Sequence, residues 1–180
     1  MILGVSGLNG AGKGEVVDVL ASLGFRAFSL SDVIRDELRA QRLEPTRERM
    51  IETGNALRAA EGPAGLATRL AAKLERGQDY VVDSIRHPAE AETLRAFAAD
   101  FRLIWVAAAE HVRFDRMRRR GRVGDPTTLE DLREVEGREL ANENPSAQQL
   151  LAVRDLADVT VANEGSLEQL GTAVREALRK

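Results

Sequence analysis

The 180-residue sequence contains no cysteine, which excludes disulfide bonds, thiolate metal sites and thiol nucleophiles. Its two histidines, His87 and His111, are well separated, so a histidine-based metal site is not expected. Long apolar runs are also missing. None approaches the roughly 18 to 20 residues of a membrane span, and the first residues have the pattern of a core strand and not of a charged leader. The sequence therefore predicts a soluble, cytoplasmic protein with no membrane partner.

A large excess of charge of one sign is absent too. The chain has 26 Lys and Arg against 29 Asp and Glu, a formal net charge of −3. Such a chain is not a general electrostatic binder of nucleic acid, so we expect no nucleic-acid partner, and any anion site must be local. The length, with 43% hydrophobic residues, suits one domain over residues 1–180 with a single buried core. No oligomeric state is predicted.

Short apolar segments alternate with helical ones along the chain. The patterns predict helices that begin at Ser31 as an N-cap, at residues 45–46, at residue 64, near Pro88, near residue 110 and after Ser166. The segments that favour strands are 1–6, 26–29, 80–83, 101–107 and 159–161. This alternation is typical of an α/β fold with a parallel sheet covered on both faces, where ligands bind beyond the carboxyl ends of the strands.

A glycine-rich loop follows the first predicted strand and opens the first helix. Gly7, Gly12 and Lys13 fit the pattern G-x-x-x-x-G-K. Glycines let successive backbone N–H groups turn inward around a β-phosphate, the helix N-terminus adds positive potential, and the lysine reaches the β- and γ-phosphates. The loop therefore predicts a triphosphate site. The residues predicted to bind ATP here are Asn9, Gly10, Ala11, Gly12, Lys13, Gly14 and Glu15.

The end of this loop departs from the general pattern. Gly14 stands where Ser or Thr normally places a hydroxyl on magnesium, and it resembles adenylate kinases, whose loop continues G-K-G-T. Here Glu15 replaces that threonine. Its carboxylate either complements the helix dipole or contacts magnesium through water, and both interpretations stay open.

Arginines predict the side of the site that holds the phosphoryl acceptor. The segment from Asp32 to Arg35 resembles the G-D-x-L-R segment of nucleoside monophosphate kinases, in which the arginine holds the acceptor phosphate. A guanidinium suits this role because its planar fork donates paired hydrogen bonds to phosphate oxygens. Arg58, in the helical block, is a further candidate contact.

An acid ends the third apolar segment. Asp83 occupies the position of a Walker B-like carboxylate that holds magnesium directly or through water. Residues 83–92 resemble the D-V-R-F-P-N-E-A-E run of phage deoxynucleoside monophosphate kinases, which makes Arg86 a second acceptor clamp. We interpret His87 as structural, because a phosphate acceptor is already anionic and needs no general base.

The densest positive charge lies in residues 113–126. Arg116 and Arg120 are four apart and share a helix face, and they match the D-R-x-x-x-R pattern that adenylate kinases place at the hinge of a mobile lid. Arginines there stabilise the charge of a transferring phosphoryl group, so both are predicted to be catalytic together with Lys13 and Asp83. A basic helix end is the simpler interpretation of Arg118, Arg119 and Arg122. Arg133 or Arg138 is a candidate for a later contact.

Residues 157–168 resemble the closing A-D-x-x-x-x-N-x-G-S-L-E-E stretch of dephospho-CoA kinases, which lies near the adenine of ATP. The resemblance makes Asn163 and Gly165 candidate ATP contacts. Asn163 also has a simpler interpretation, since asparagine favours turns.

From Gly7 to Gly165 the chain resembles P-loop nucleotide kinases, in particular adenylate-kinase-related and dephospho-CoA-kinase-like proteins. The resemblance implies a P-loop three-layer α/β fold with a five-stranded parallel sheet in the order 2-3-1-4-5. It also implies a helical acceptor-binding block at about 31–76, a short arginine-rich lid at about 116–140, and ATP with Mg²⁺ as phosphoryl donor.

The expected function is ATP-dependent transfer of the γ-phosphoryl group to a small nucleotide, a nucleoside or deoxynucleoside monophosphate, because Arg35 and Arg86 favour a phosphate-bearing acceptor. One alternative is a dephospho-CoA kinase, whose 3′-hydroxyl acceptor needs a base, and Asp32 is the nearest candidate. A second alternative is a non-catalytic nucleotide-binding switch or regulatory ATPase, which would keep Lys13 and Asp83 without the acceptor clamps.

Overall fold

A computed structural model describes residues 1–122, 124–140, 144 and 147–179. Within these residues, the strands pair in parallel in the order β2-β3-β1-β4-β5, which confirms the predicted fold class and strand order. The strands are β1 (Ile2–Ser6), β2 (Arg26–Ser29), β3 (Tyr80–Asp83), β4 (Arg102–Ala107) and β5 (Val159–Ala162).

Helices connect the strands and cover both faces of the sheet. They are α1 (Lys13–Ser22), α2 (Leu30–Ala40), α3 (Arg47–Glu61), α4 (Gly65–Ala71), α5 (Pro88–Phe97), α6 (Glu110–Arg120), α7 (Leu129–Leu140), α8 (Leu150–Asp155) and α9 (Leu167–Ala177). In the part of the chain that the structure describes, no helix is long and apolar enough to cross a membrane.

Alternate residues of the central strand β1 enter two hydrophobic clusters. Ile2 packs with α2 to α5 and α8 on one face, while Leu3 and Val5 pack with α1 and α9 on the other. Because side chains alternate across a strand, this two-sided burial produces the three layers. Parallel pairing also brings the loop after β1 and Asp83 at the end of β3 to the same edge of the sheet.

Three local predictions need correction. The N-cap of α2 is Ser29 and not Ser31, since β2 runs directly into the helix and the Ser29 hydroxyl accepts from the Ser31 N–H at 3.2 Å. The helical pattern that begins at residue 64 continues to residue 76 in the sequence, whereas helix α4 ends at Ala71, and the pattern did not predict α8. His87 has a structural role, because its Nδ1 accepts from the Ala89 N–H at 3.1 Å and caps α5.

Candidate active site

The glycine-rich loop joins β1 to α1, as predicted, and Gly7, Gly10 and Gly12 all have positive φ. Gly10 has φ 76° and Gly12 has φ 90°, a region that side-chain-bearing residues rarely adopt. A Cβ on Gly10 would lie 2.6 Å from the backbone oxygen of Arg113, and one on Gly12 would collide with the amide of Asn163. Both positions therefore require glycine, for space as well as for conformation.

Lys13 folds back over this loop. Its Nζ donates to the carbonyl oxygens of Gly7, at 2.8 Å, and Leu8, at 3.0 Å. Burial lowers the pKa of Lys13 to about 7, and the nearby positive charge of Arg86 acts in the same direction. Asp83 and Glu139 partly oppose this shift. The amine therefore lies in surroundings that favour its neutral form until a further negative charge arrives.

Asp83 ends β3 beside the loop. Its Oδ1 is buried and has no hydrogen-bond partner within the described residues. Magnesium is bound in such sites by one or two carboxylates together with substrate phosphates. Within the described residues no group of three or more acidic, histidine or cysteine side chains could hold a metal by itself. The unsatisfied oxygen of Asp83 thus fits a magnesium ion that takes its other ligands from ATP and water.

The glycine-rich loop lines a cleft of about 1150 Å³, to which residues of α2 and α3 also contribute. Gly14 and Glu15 face the cleft on the loop side. Both interpretations of Glu15 remain predictions. The lining residues from β2 to α4 are Ser29, Leu30, Ser31, Ile34, Arg35, Pro45, Arg47, Met50, Ile51, Arg58 and Leu66.

The structure brings both predicted acceptor clamps to this cleft. Arg35 lines it and donates to Asp32 Oδ1 at 2.6 Å. Arg86 lines it and donates to Gln148 Oε1 at 2.9 Å. Asp32 itself is exposed and does not belong to the cleft lining. The arginine of the Asp32–Arg35 segment therefore lies in the cleft, and the carboxylate lies at its outside.

Arg58 is buried in an ion pair with Glu90. Its Nε and Nη2 lie 2.9 and 2.8 Å from Glu90 Oε1. The second carboxylate oxygen accepts from the backbone N–H groups of Arg86, at 2.8 Å, and His87, at 3.1 Å. Arg58 borders the cleft, but its charge is already matched, and the pair supports the loop that carries Arg86. A direct contact between Arg58 and the acceptor stays a prediction.

Both predicted catalytic arginines of α6 reach the cleft. Arg116 donates to the carbonyl oxygen of Ala11 at 3.3 Å, so it contacts the glycine-rich loop directly. Arg120 makes two hydrogen bonds of 2.8 Å to Asp125, which raise the pKa of its guanidinium and lower that of the Asp125 carboxyl.

The other arginines of this region divide into two groups. Arg119 and Arg122 also line the cleft, whereas Arg118 lies over the ring of Phe114, 5.8 Å from its centroid. Arg133 pairs with Glu110 and does not line the cleft. Arg138 was the other candidate for this contact, and its side chain lies outside the described residues.

The two C-terminal candidates lie behind the glycine-rich loop. The buried Asn163 donates from Nδ2 to the carbonyl oxygen of Ala11 at 2.9 Å and lies 3.4 Å from Arg116 Nη2. Gly165 packs against Gln169, next to the cap of α9. Neither residue lines the cleft, so the geometry gives Asn163 the role of supporting the loop.

Two acidic residues of α7 that the sequence did not single out support the glycine-rich loop, Glu136 through Arg113 and Glu139 directly. Glu136 forms a buried ion pair with Arg113, which donates to the backbone oxygen of Asn9 at 3.3 Å. Glu139 accepts from the Asn9 side-chain amide at 2.8 Å. Their spacing of three places them on one helix face, which is the only sequence signal for this pair.

Glu139 also connects the loop to the acceptor side. Its carboxylate lies 3.4 Å from Nη2 of Arg47, the first residue of α3, and 3.5 Å from Nη1 of Arg86. Arg47 was not predicted as a site residue, although it lines the cleft. No motif identifies it, because its position depends on how α3 packs across the sheet edge from α7.

Comparison with known proteins places this geometry in a family. A family model described as an AAA domain matches residues 6–133. A UPF0200 protein of Aeropyrum pernix is 36% identical over 180 residues, covering 99% of this chain and 92% of the relative. A UPF0200 protein of Hyperthermus butylicus is 31% identical over 182 residues, covering 100% and 94%.

Solved structures share the fold at low sequence identity. A shikimate kinase from Acinetobacter baumannii in complex with shikimate has a TM-score of 0.60 at 17% identity, covering 99% of this chain and 92% of that chain. A gluconokinase from Sinorhizobium meliloti has a TM-score of 0.56 at 15% identity, covering 98% and 93%. The chain therefore belongs to the UPF0200 protein family, and its AAA domain has the fold of a P-loop kinase-like domain.

Proposed function

We propose that this protein transfers the γ-phosphoryl group of magnesium-bound ATP to a nucleoside or deoxynucleoside monophosphate. The observation that carries the proposal is that the glycine-rich loop and Asp83 line the same cleft as the two arginines Arg35 and Arg86. A nucleotide-binding switch or regulatory ATPase needs only the first half of this arrangement. We assign the whole chain to one domain, with acceptor binding in residues 31–76 and the lid in residues 116–140.

The donor half of the cleft suits the charge of a triphosphate. The loop offers backbone N–H groups and the N-terminus of α1, and Lys13 lies within reach of the phosphates. Asp83 Oδ1 has no hydrogen-bond partner within the described residues and could bind magnesium. A bound magnesium ion would neutralise charge on the β- and γ-phosphates. Arg116 and Arg120 lie on the same side and would stabilise the transferring phosphoryl group.

The acceptor half of the cleft combines cationic and apolar groups. Arg35 and Arg86 can donate paired hydrogen bonds to a phosphate. Met50, which is partly buried, and Ile51, which is exposed, line the same cleft and offer an apolar surface to a flat base. This combination matches a molecule with a dianionic group at one end and a planar ring at the other, which is the chemistry of a nucleoside monophosphate.

The position of Asp32 favours a phosphate acceptor over a hydroxyl acceptor. A hydroxyl must lose its proton to a base within hydrogen-bond reach, whereas a phosphate oxygen is already ionised. Asp32 is exposed, is paired with Arg35 and does not line the cleft. We therefore expect Asp32→Asn to change monophosphate turnover less than about threefold, since only an exposed ion pair is lost.

The test is a coupled ADP-release assay with magnesium-ATP and a panel of NMPs, dNMPs and dephospho-CoA. We expect at least one monophosphate to accelerate ADP release, and Lys13→Ala to abolish that acceleration while the protein stays folded by circular dichroism. Acceleration by dephospho-CoA alone, with a large loss in Asp32→Asn, would support the hydroxyl-acceptor alternative. If no acceptor accelerates ADP release, the switch or ATPase alternative would replace this proposal.

A further inference from the structure

We propose that Arg47 and Arg86 form the subsite for the anionic group of the acceptor, and that the carboxylate of Glu139 occupies this subsite in the present conformation. The inference rests on the proposed function only in that the acceptor carries a phosphate. It adds Arg47 to the binding residues and gives Glu139 the role of an internal competitor that the acceptor displaces.

The first observation is the geometry of the three charged groups. Arg47 Nη2 lies 3.4 Å from Glu139 Oε1, and Arg86 Nη1 lies 3.5 Å from Glu139 Oε2. Good charge-assisted N–H···O bonds measure about 2.7 to 2.9 Å. The carboxylate therefore bridges two guanidinium groups without making a close bond to either one. A phosphate has three terminal oxygens in a tetrahedral arrangement and can satisfy both arginines at once.

The second observation is the burial of this carboxylate. The side chain of Glu139 is 9% exposed, while Arg47 and Arg86 are 27% and 23% exposed. A buried carboxylate needs cationic or hydrogen-bonding partners, which is why Glu139 remains between these arginines. An arriving phosphate dianion would repel it and take over the same two cations. Occupation by Glu139 and by the acceptor phosphate is therefore mutually exclusive.

The third observation connects the subsite to the donor loop. Glu139 accepts from the side-chain amide of Asn9 at 2.8 Å, and Asn9 belongs to the glycine-rich loop. When the acceptor displaces Glu139, this amide is released to contact the nucleotide phosphates. Binding of the acceptor would thus change a donor-loop contact.

The competing interpretation is that Glu139 only braces α7 against the core. Glu136 provides a matched control, because it lies one turn earlier on the same helix face and its buried partner is Arg113. Within the described residues, Glu136 makes no hydrogen bond or ion pair with Arg47 or Arg86. A bracing role predicts similar effects for Glu139→Gln and Glu136→Gln, whereas an internal competitor predicts a gain in anion affinity for Glu139→Gln and none for Glu136→Gln.

The direct experiment measures anion affinity with the donor loop filled. Inorganic phosphate is titrated into the intact protein at saturating MgADP, with binding followed by calorimetry. We expect Glu139→Gln to bind phosphate about tenfold more tightly, a factor that corresponds to 1.4 kcal/mol. Glu136→Gln should bind it no more tightly than the wild type. Adding Arg47→Ala to Glu139→Gln should return the affinity to the wild-type value or below.

Equal phosphate affinities in Glu139→Gln and the wild type would overturn the inference, and so would the same gain in Glu136→Gln. A gain that survives Arg47→Ala would place the anion elsewhere and would overturn it too. The acceptor panel is a separate measurement. If phosphate binding tightens as expected but no monophosphate is turned over, the subsite stands and the proposed function fails. If a monophosphate is turned over but phosphate binding is unchanged, the reverse holds.

Discussion

Lys13 should change its protonation state when ATP binds. Burial and the nearby charge of Arg86 lower its pKa to about 7, and the amine donates to the neutral carbonyl oxygens of Gly7 and Leu8. The phosphates of ATP bring several negative charges to this position, and a nearby opposite charge favours the protonated form. Binding of ATP should therefore raise the pKa of Lys13 and draw a proton from solution.

The size of this effect follows from the lowered pKa. At pH 8, a lysine of pKa 7 is about 10% protonated, whereas in the ATP complex it is almost fully protonated, so about 0.9 proton is taken up per ATP. At pH 6 the uptake falls to about 0.1 proton, because the free protein already carries the charge. Since ATP binds the protonated form, its affinity is fully present below pH 7 and decreases about tenfold per pH unit above it.

Calorimetry of magnesium-ATP binding in buffers of different ionisation enthalpy measures this uptake directly. The control is Lys13→Arg, which keeps a permanent charge at the same position and shares every other titrating group of protein and nucleotide. The difference between the two proteins should be close to 0.9 proton at pH 8 and should nearly vanish at pH 6. An equal proton count for both proteins at pH 8 would refute the reasoning, because Lys13 would then be charged before ATP arrives.

Four other substitutions test separate parts of the site. Asp83→Asn should raise the magnesium concentration needed for half-maximal turnover by roughly 10- to 100-fold, while metal-free ATP binding is unchanged. An unaltered magnesium titration would contradict the assignment of Asp83 as a magnesium ligand. Arg58→Met should lower the free energy of urea unfolding by about 3 to 5 kcal/mol, because it strands the buried Glu90 carboxylate. Arg35→Met should lower the free energy of unfolding by less than about 1 kcal/mol, because the ion pair of Arg35 with Asp32 is exposed. Equal losses of stability in Arg58→Met and Arg35→Met would contradict this reasoning. Asn163→Ala should weaken ATP and GTP binding by the same factor, roughly tenfold, and a changed ratio would indicate a base contact.

The sheet and the glycine-rich loop could be predicted from the sequence because their causes are local. Apolar strands alternate with helical segments, and Gly10 and Gly12 occur where the backbone needs positive φ. Asp83 was also predictable, since the end of a parallel strand fixes its position relative to the loop. These features depend on residue type and on order along the chain.

The pairing of charged side chains could not be predicted in the same way. The sequence shows that Arg58 is basic and that Asn163 is polar, but their partners lie 32 and 152 residues away. Glu139 contacts Asn9 across 130 residues, through the packing of α7 over the loop. The sequence therefore predicted which side chains have the right chemistry, while the fold decides which of them face the cleft and which support it.

Burial of the ion pairs ranks the arginines by their availability to a substrate. The pair of Arg35 is 42% and 60% exposed, so water screens it and a phosphate can replace the carboxylate at little cost. Arg58 and Glu90 are 3% and 0% exposed, and removing the arginine would leave the buried Glu90 carboxylate without this cation, held within the described residues by two backbone N–H groups alone. Arg86 and Arg120 lie between these limits, at 23% and 34% exposure. Substrate phosphates should therefore recruit Arg35, Arg86 and Arg120 from their carboxylate partners, while Arg58 keeps its partner and holds the loop on which Arg86 is carried.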